Sequence, residues 1–291
     1  MEDRPLYRSP LLSVVEFTCP PSDEAWRSEN RIGARPIVAF PRVPVGITLA
    51  GGGRVLATPN LAMIYNPGQV YERELRSGRG DECLFVALET SALEALEPET
   101  RAIRDRRLLV THAPATRRVY FHQHLLARYL DGTTPKDALL VEETAIGLVR
   151  AVLRAACPAL PSRQRRATIS FHGELAEGAK ELLAATVDEN LSLQEIATRL
   201  GTSPFHLARL FRRETGFSLH DYRKQLRLRL ALEQLPCSDG ALSSLAIGLG
   251  FSSHSHFTDT FRREFGVAPS VVRDARRVRT LLQASTAALA A

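Results

Sequence analysis

The chain holds four cysteines, Cys19, Cys83, Cys157 and Cys237, standing far apart with no CxxC pair. Such spacing supports neither a disulfide framework nor a cysteine zinc site, and they read as isolated reduced thiols. Cys83, inside the apolar run CLFVAL, reads as a core residue. Histidine is missing from the first 111 residues altogether. The two HxH pairs further on, His122/His124 on a helical stripe and His254/His256, have no third ligand nearby, so no metal and no cofactor is expected. Gly51-Gly52-Gly53 is not followed by GK[ST] and reads as a turn rather than a phosphate loop. No apolar run approaches the ~18 residues that a membrane-spanning helix needs. The opening MEDRPLYRSP lacks the apolar stretch of a secretory signal. Together these absences predict a cytoplasmic protein with no membrane partner, and none of these patterns nominates a catalytic residue.

What is present fits a soluble two-domain protein: 291 residues, 44% of them hydrophobic and 24% charged. The net charge of +6 is unevenly placed. From Arg163 onward there are 18 Lys plus Arg against 13 Asp plus Glu, or +5, whereas the first 162 residues carry 20 against 19, or +1. A basic C-terminal half suits a polyanion, since neutralising phosphates releases counterions, although a solvated arginine-rich face has the same composition.

Short apolar runs fill the first 110 residues: PIVAF (36–40), VGITLA (45–50), LAMIY (61–65) and CLFVAL (83–88). Turn material such as Asn66-Pro67-Gly68 separates them, which predicts a small β-sandwich or barrel. Arg73, Arg76 and Arg79 near Glu72, Glu74 and Glu82 fit a polar pocket or, more simply, a mixed-charge surface. From about Thr116 the period turns helical. Val119, His122, Leu125, Leu126, Tyr129 and Leu130 form one stripe, and Leu139, Leu140, Ala145, Leu148, Val149 and Val152 a second. An antiparallel helix pair with an exposed apolar stripe for a partner subunit is expected there. A proline- and arginine-bearing linker should follow, and the tail after Arg279 should extend the last helix or fray.

The rest of the chain contains a repeat. FRRE at 211–214 recurs at 261–264; at the same offset of 50, His206 matches His256, Gly216 matches Gly266 and Arg223 matches Arg273. Upstream the offset is 49, pairing Ala197 with Ala246 and Leu200-Gly201 with Leu249-Gly250. Each copy reads as helix, tight turn, helix. Ser192 and Glu195 form a capping box, with Leu193, Ile196, Ala197 and Leu200 inward. Gly201 ends the first helix, and Ser203-Pro204 starts the second. With Leu207, Leu210 and Phe211 buried, Phe205, Ala208, Arg209 and Arg212 share the outer face. A major groove admits such a helix, Arg can pair with guanine O6/N7, and Phe205 can touch a thymine methyl. Between the copies, 218–235 reads as one helix with Leu219, Tyr222, Leu226, Leu230 and Leu235 inward and Arg223, Lys224, Arg227 and Arg229 largely outward.

Residues 191–235 and LAIGLGFSSHSHFTDTFRREFGVAP (245–269) resemble the AraC/XylS transcription regulators, most specifically in the GF-x-x-x-S-HF-x-x-x-FRRE-x-G-x-x-P series from Gly250 to Pro269. The likeness covers about a hundred residues. It implies two helix-turn-helix subdomains joined by the long helix, and a β-barrel (cupin-like) regulatory domain followed by dimerisation helices. It places base reading on Phe205, Ala208 and Arg209, and in the second copy on His254, Ser255 and Asp259, with Arg212 and Arg262 on phosphates. Asp259 departs from the basic or amide side chain usual there, and Val271-Val272-Arg273 from the usual aromatic-Arg ending. An aspartate accepts from cytosine N4 but repels phosphate, so the second head ranks below the first.

The expectation is therefore an α+β multidomain protein. It comprises a cupin-like regulatory domain (1–112), a helical dimerisation segment (113–157), a linker (158–172) and an all-α DNA-binding domain (173–279). The helix-turn-helix units lie at about 192–214 and 243–264. Its partners would be double-stranded promoter DNA, a second copy of the chain, a small-molecule effector and RNA polymerase. Two other readings are a ligand-independent DNA-binding regulator whose barrel is only a dimerisation scaffold, and a cupin-like enzyme or small-molecule carrier. The second is opposed by the missing histidines, since a cupin metal site is built on paired histidines.

Overall fold

The computed structural model describes residues 1–50, 53–96, 100, 102–156, 166–237 and 241–290, with side chains except at 27, 166–172, 237 and 287–290. The turn at Gly51-Gly52 and residues 158–165 of the expected linker lie outside them. The chain forms two compact units, one of residues 1–160 with 269–291, the other of residues 161–268.

In the first unit the apolar runs become strands of two antiparallel sheets. A six-stranded sheet has β1 (Glu2–Arg8), β2 (Leu12–Cys19), β9 (Asp81–Leu88), β4 (Ile37–Pro41), β7 (Leu61–Tyr65) and β12 (His112–Pro114) side by side in that order. A four-stranded sheet orders β3 (Asn30–Arg31), β8 (Val70–Leu75), β5 (Val45–Leu49) and β6 (Arg54–Ala57). Phe17, Met63 and Cys83 of the first sheet share one core with Val45, Ile47 and Val55 of the second. The strands do not close into the barrel that the family resemblance implies. Consecutive β6 and β7 lie in different sheets, so residues 58–60 carry the chain across the sandwich instead of extending a ladder. A small hairpin of β10 (Ile103–Arg104) and β11 (Arg107–Leu108) turns through Asp105 and Arg106, both at positive φ as a two-residue turn requires.

Three helices follow the strand pattern in this unit, α1 (Thr90–Leu96), α2 (Arg117–Asp131) and α3 (Ala138–Ala156). Thr116 caps α2, its hydroxyl accepting from the Val119 N–H. The second unit is helical: α4 (Arg166–Ala185), α5 (Leu193–Arg199), α6 (Pro204–Thr215), α7 (Leu219–Gln234), α8 (Leu242–Gly248) and α9 (His254–Phe265). Its first core gathers Ile196, Leu207, Phe211 and Leu226, with the Phe211 ring edge-on to Tyr222 at 5.4 Å.

After α9 the chain rejoins the first unit through α10 (Pro269–Arg273) and α11 (Val278–Ala290). The tail is an ordered helix packed on α2 and α3, with Leu282 wholly buried. His122 Nε2 bonds the Ser285 carbonyl at 2.7 Å, Thr144 and Thr286 pair their hydroxyls at 2.9 Å, and Arg128 donates to the Val272 carbonyl. The apolar stripes expected to lie open are thus covered within the chain: Leu125, Leu126, Val149 and Val152 are buried, and only Leu139 of those named stays exposed.

Candidate nucleic-acid interface

The first head is built by local chemistry alone. The Ser192 hydroxyl accepts from the Glu195 N–H at 3.2 Å while the Glu195 carboxylate accepts from the Ser192 N–H at 2.7 Å, closing the capping box on α5. The Ser192 hydroxyl, which also donates to that carboxylate at 2.6 Å, and then the Ser192 N–H hold the Glu195 carboxyl below its ordinary range. Gly201 turns the chain at φ 64°, a conformation cheap only for glycine. The Ser203 hydroxyl then accepts from the His206 N–H at 3.3 Å, and Pro204 sits at the first helical position, which fixes where α6 starts.

That start sets which face looks outward. Leu207, Leu210 and Phe211 are buried, whereas Arg209 and Arg212 are exposed, Ala208 is half-buried and the Phe205 ring is 89% exposed. Leaving a phenylalanine in water forgoes ~1.5–3 kcal/mol of burial, so this ring contributes nothing to the core of its unit. Beside it runs an open groove of about 510 Å³ lined by Leu193, Phe205, Ala208, Arg209, Arg212 and His220 among others. Leu193, expected inward, instead lies 39% exposed, since its position at the first turn of α5 puts it on this rim. Neither Arg209 nor Arg212 is engaged in an ion pair or hydrogen bond among the described residues.

The second head repeats the plan. Gly250 turns at φ 77° and the Ser253 hydroxyl caps α9 by accepting from the His256 N–H at 3.1 Å. His254, Ser255, Asp259 and Arg262 are all exposed. Inside, Phe251, Phe257, Phe261 and Phe265 stack edge to face, with successive centroids 5.2, 5.6 and 4.7 Å apart. His256 serves the turn, with Nδ1 3.0 Å from the Ser252 hydroxyl and its ring against Phe251. The supporting helix is less well made than in the first copy, because α8 begins at Ala241 with no side-chain cap.

Two arginines expected to face outward from α7 are inside. Arg227 is only 7% exposed, and Arg229 2%. The Arg227 guanidinium donates to three carbonyls, Val187 at 2.6 Å, Glu189 at 2.8 Å and Gly250 at 2.8 Å. It thereby ties the loop before the first head to the turn of the second. Burial, aided by neighbouring Arg223, lowers its pKa to about 10. Arg223 reinforces the same loop, donating to the Leu191 carbonyl at 2.8 Å. A signal was available: Leu226, Leu228, Leu230 and Leu232 put apolar side chains around most of α7, so few positions on it are left for water.

In the first unit, Arg73 is neither a surface charge nor a cavity wall. It is 5% exposed, paired with Asp81 at 3.1 Å and with the Asn30 side-chain oxygen at 3.0 Å, while Arg76 and Arg79 pair at the surface with Glu74 and Glu82. The free thiols of Cys19 and Cys83 are buried. Among the described residues no cluster of metal-ligating side chains occurs, and no helix is long and apolar enough to cross a membrane.

A helix-turn-helix domain family matches residues 177–275. The regulatory protein SoxS of Salmonella typhimurium is 32% identical over 102 residues, which are 35% of this chain and 95% of SoxS. The HTH-type transcriptional regulator GlxA of Rhizobium meliloti is 30% identical over 184 residues, 56% of each chain. Among solved structures, a transcriptional regulator with an AraC-type DNA-binding domain from Chromobacterium violaceum is 29% identical. That match covers 38% of this chain and 96% of the other, with a TM-score of 0.35.

Proposed function

The chain belongs to the AraC/XylS family of transcription regulators and binds DNA through its double helix-turn-helix unit; from that premise we propose how it reads DNA and what controls it. Arg209, Ala208 and Phe205 contact base edges in one major groove, with Arg209 as the strongest reader, and Arg212 holds a phosphate. His254, Ser255 and Asp259 meet the next major groove, with Arg262 on its backbone. The observation that carries this reading is the pair of exposed recognition helices whose Arg209, Arg212 and Arg262 are uncommitted within the described chain, above a scaffold locked by Arg227. Asp259 beside the phosphates makes the second head the weaker one.

The first unit acts as a cupin-like regulatory domain that takes a small-molecule effector. Its two facing sheets enclose an apolar cavity of about 320 Å³, within the range of ligand sites. The regulator works in the cytoplasm as a homodimer on promoter DNA, in contact with RNA polymerase, and without catalysis of its own. An effector shifts DNA binding only if it binds the DNA-competent arrangement with a different affinity.

Binding-site selection with the full chain tests the DNA reading. A bipartite site, with the stronger base preferences in the half contacted by the first head, is the expected result. Stronger preferences in the other half would reverse the ranking of the heads, and equal affinity for selected and random DNA would remove base reading.

A further inference from the structure

The cavity of the first unit has an unusual chemical balance. It is lined from both sheets, mostly by apolar side chains such as Phe17, Ile47, Met63 and Phe85. Arg73 is absent from the lining and is spent behind it on Asp81 and Asn30, with its guanidinium stacked over Phe17 at 5.1 Å and Trp26 at 5.2 Å. Asp81 does line the cavity, and that ion pair neutralises it. At the exposed mouth, Asp3 and Glu29 stand beside Arg31 and the Met1 ammonium, which pairs with Asp23. Among the described residues, the lining arginine is Arg31, which lies exposed at the mouth with its guanidinium on the Gly68 carbonyl.

Two phenols remain. Tyr65 on β7 and Tyr71 on β8 come from opposite sheets, their ring centroids 5.2 Å apart. Tyr65 is 6% exposed, and neither hydroxyl has a hydrogen-bond partner among the described residues. Both residues line the cavity, and neither hydroxyl oxygen is sealed from it, so each is available to donate to a ligand's acceptor, a bond that adds about 0.5–1.5 kcal/mol. Burial pushes Tyr65 well above the ordinary phenol range and Tyr71 up to about 12, so both remain neutral donors.

We infer that this cavity binds an uncharged, ring-sized, mainly apolar molecule carrying one hydrogen-bond acceptor, which the Tyr65 and Tyr71 hydroxyls grip from opposite sheets. The inference rests on the effector reading above and narrows it. A carboxylate passing the mouth would find Arg73 already paired with Asp81 behind the apolar walls, and a sugar would leave most of its hydroxyls unpaired against them. The volume lies at the small end of the ~300–1,000 Å³ usual for ligand sites, which limits the ligand to about the size of a substituted ring.

The test uses the full chain and three probes: acetophenone, benzoate and glucose. Trp26 is the only tryptophan and packs against this core, so its fluorescence reports occupancy, and thermal shift provides a second readout. Saturable binding of acetophenone, and not of benzoate or glucose, is expected. Tyr65→Phe should weaken it about tenfold, equivalent to ~1.4 kcal/mol, while leaving binding of ethylbenzene, which has no acceptor, unchanged. Benzoate or glucose binding as tightly as acetophenone would overturn the ligand class and leave the effector reading standing. If none of the probes binds a folded chain that still binds its selected DNA site, both the class and the effector reading fall, and the DNA reading remains. An equal effect of Tyr65→Phe on acetophenone and ethylbenzene would refute the hydrogen bond.

Discussion

Replacing Arg227 by Met should uncouple the two reading heads. The methionine keeps much of the apolar stem but removes all three hydrogen bonds to Val187, Glu189 and Gly250. Hydrogen bonds from a charged donor contribute ~1.5–3 kcal/mol each, so three would amount to roughly 4.5–9 kcal/mol if burying the guanidinium were free. It is not free: the lowering of its pKa to about 10 records the burial. The low end therefore applies, and a net loss of ~3–5 kcal/mol is expected. Arg227→Lys should recover little, because one ammonium on a flexible stem cannot serve three carbonyls in a planar fork.

Trp26 lies in the first unit and follows that unit alone, whereas far-ultraviolet circular dichroism reads the helices of both, so the part of its transition that does not track Trp26 reports the second unit. With a urea slope of ~1–3 kcal/mol/M, the helical transition should move down by more than ~1 M while the Trp26 transition stays in place. Just below that transition the variant should lose affinity for a site spanning both heads more than for a half-site of the first. A helical midpoint within ~0.3 M of wild type, with unchanged affinity for the full site, would refute the locking role.

Other perturbations separate by mechanism. Gly250→Ala should cost well over the ~1–2 kcal/mol of a left-handed alanine, because its Cβ would meet the Asp188 carbonyl oxygen at 2.4 Å and Arg227 Nη2 at 2.5 Å; Gly201→Ala, with φ 64° but open space, should cost only that ~1–2 kcal/mol in a urea melt. Arg209→Ala should lose about 1–3 kcal/mol on the selected site and relax one base preference, whereas Arg212→Ala should weaken specific and random DNA alike and lower the salt slope by about 1 in a filter-binding titration. Leu282→Ala should cost ~2–5 kcal/mol and lower the Trp26 transition while sparing DNA binding by the isolated heads, because α11 packs in the first unit. Because the Ser192 hydroxyl and backbone N–H hold the Glu195 carboxyl low, the capping box stabilises α5 above the ordinary carboxylate range and is lost as pH falls through the lowered value. Glu195→Gln should flatten that acid limb in pH-dependent melts; an unchanged limb would assign it to other carboxylates.

The parts legible in the sequence were those set by neighbours in the chain. A capping box, a positive-φ glycine and a proline at a first helical turn act within a few residues, so Ser192, Gly201, Ser203 and Pro204 mark the turns of the first head without reference to distant partners. The outward face of α6 then follows from its period. The illegible parts depend on distant partners. Whether Arg227 is wet or dry is decided by Val187 and Gly250, 40 and 23 positions away, and a basic residue near other basic residues looks like a solvated face until those carbonyls arrive. Arg73 follows the same rule: its neighbours in sequence suggest a charged surface, but the strand alternation of β8 turns it inward to Asp81 while Glu72 and Glu74 face out.

The tail shows where local pattern stops. TLLQASTAALAA has helical propensity and no obligatory partner in sequence, so a helix and a frayed end were both open, and the structure takes the helix. What orders it is a complementary surface made 130–160 residues earlier, where His122, Thr144 and the buried stripes of α2 and α3 wait for it. The same packing settles where the tail belongs. The helix-turn-helix family matches to residue 275, yet α10 and α11 group with residues 1–160, so likeness in sequence and packing in space draw this boundary at different places. The match follows residues shared with relatives along the chain, whereas the packing follows the apolar and polar partners that α2 and α3 present to Leu282, Ser285 and Thr286.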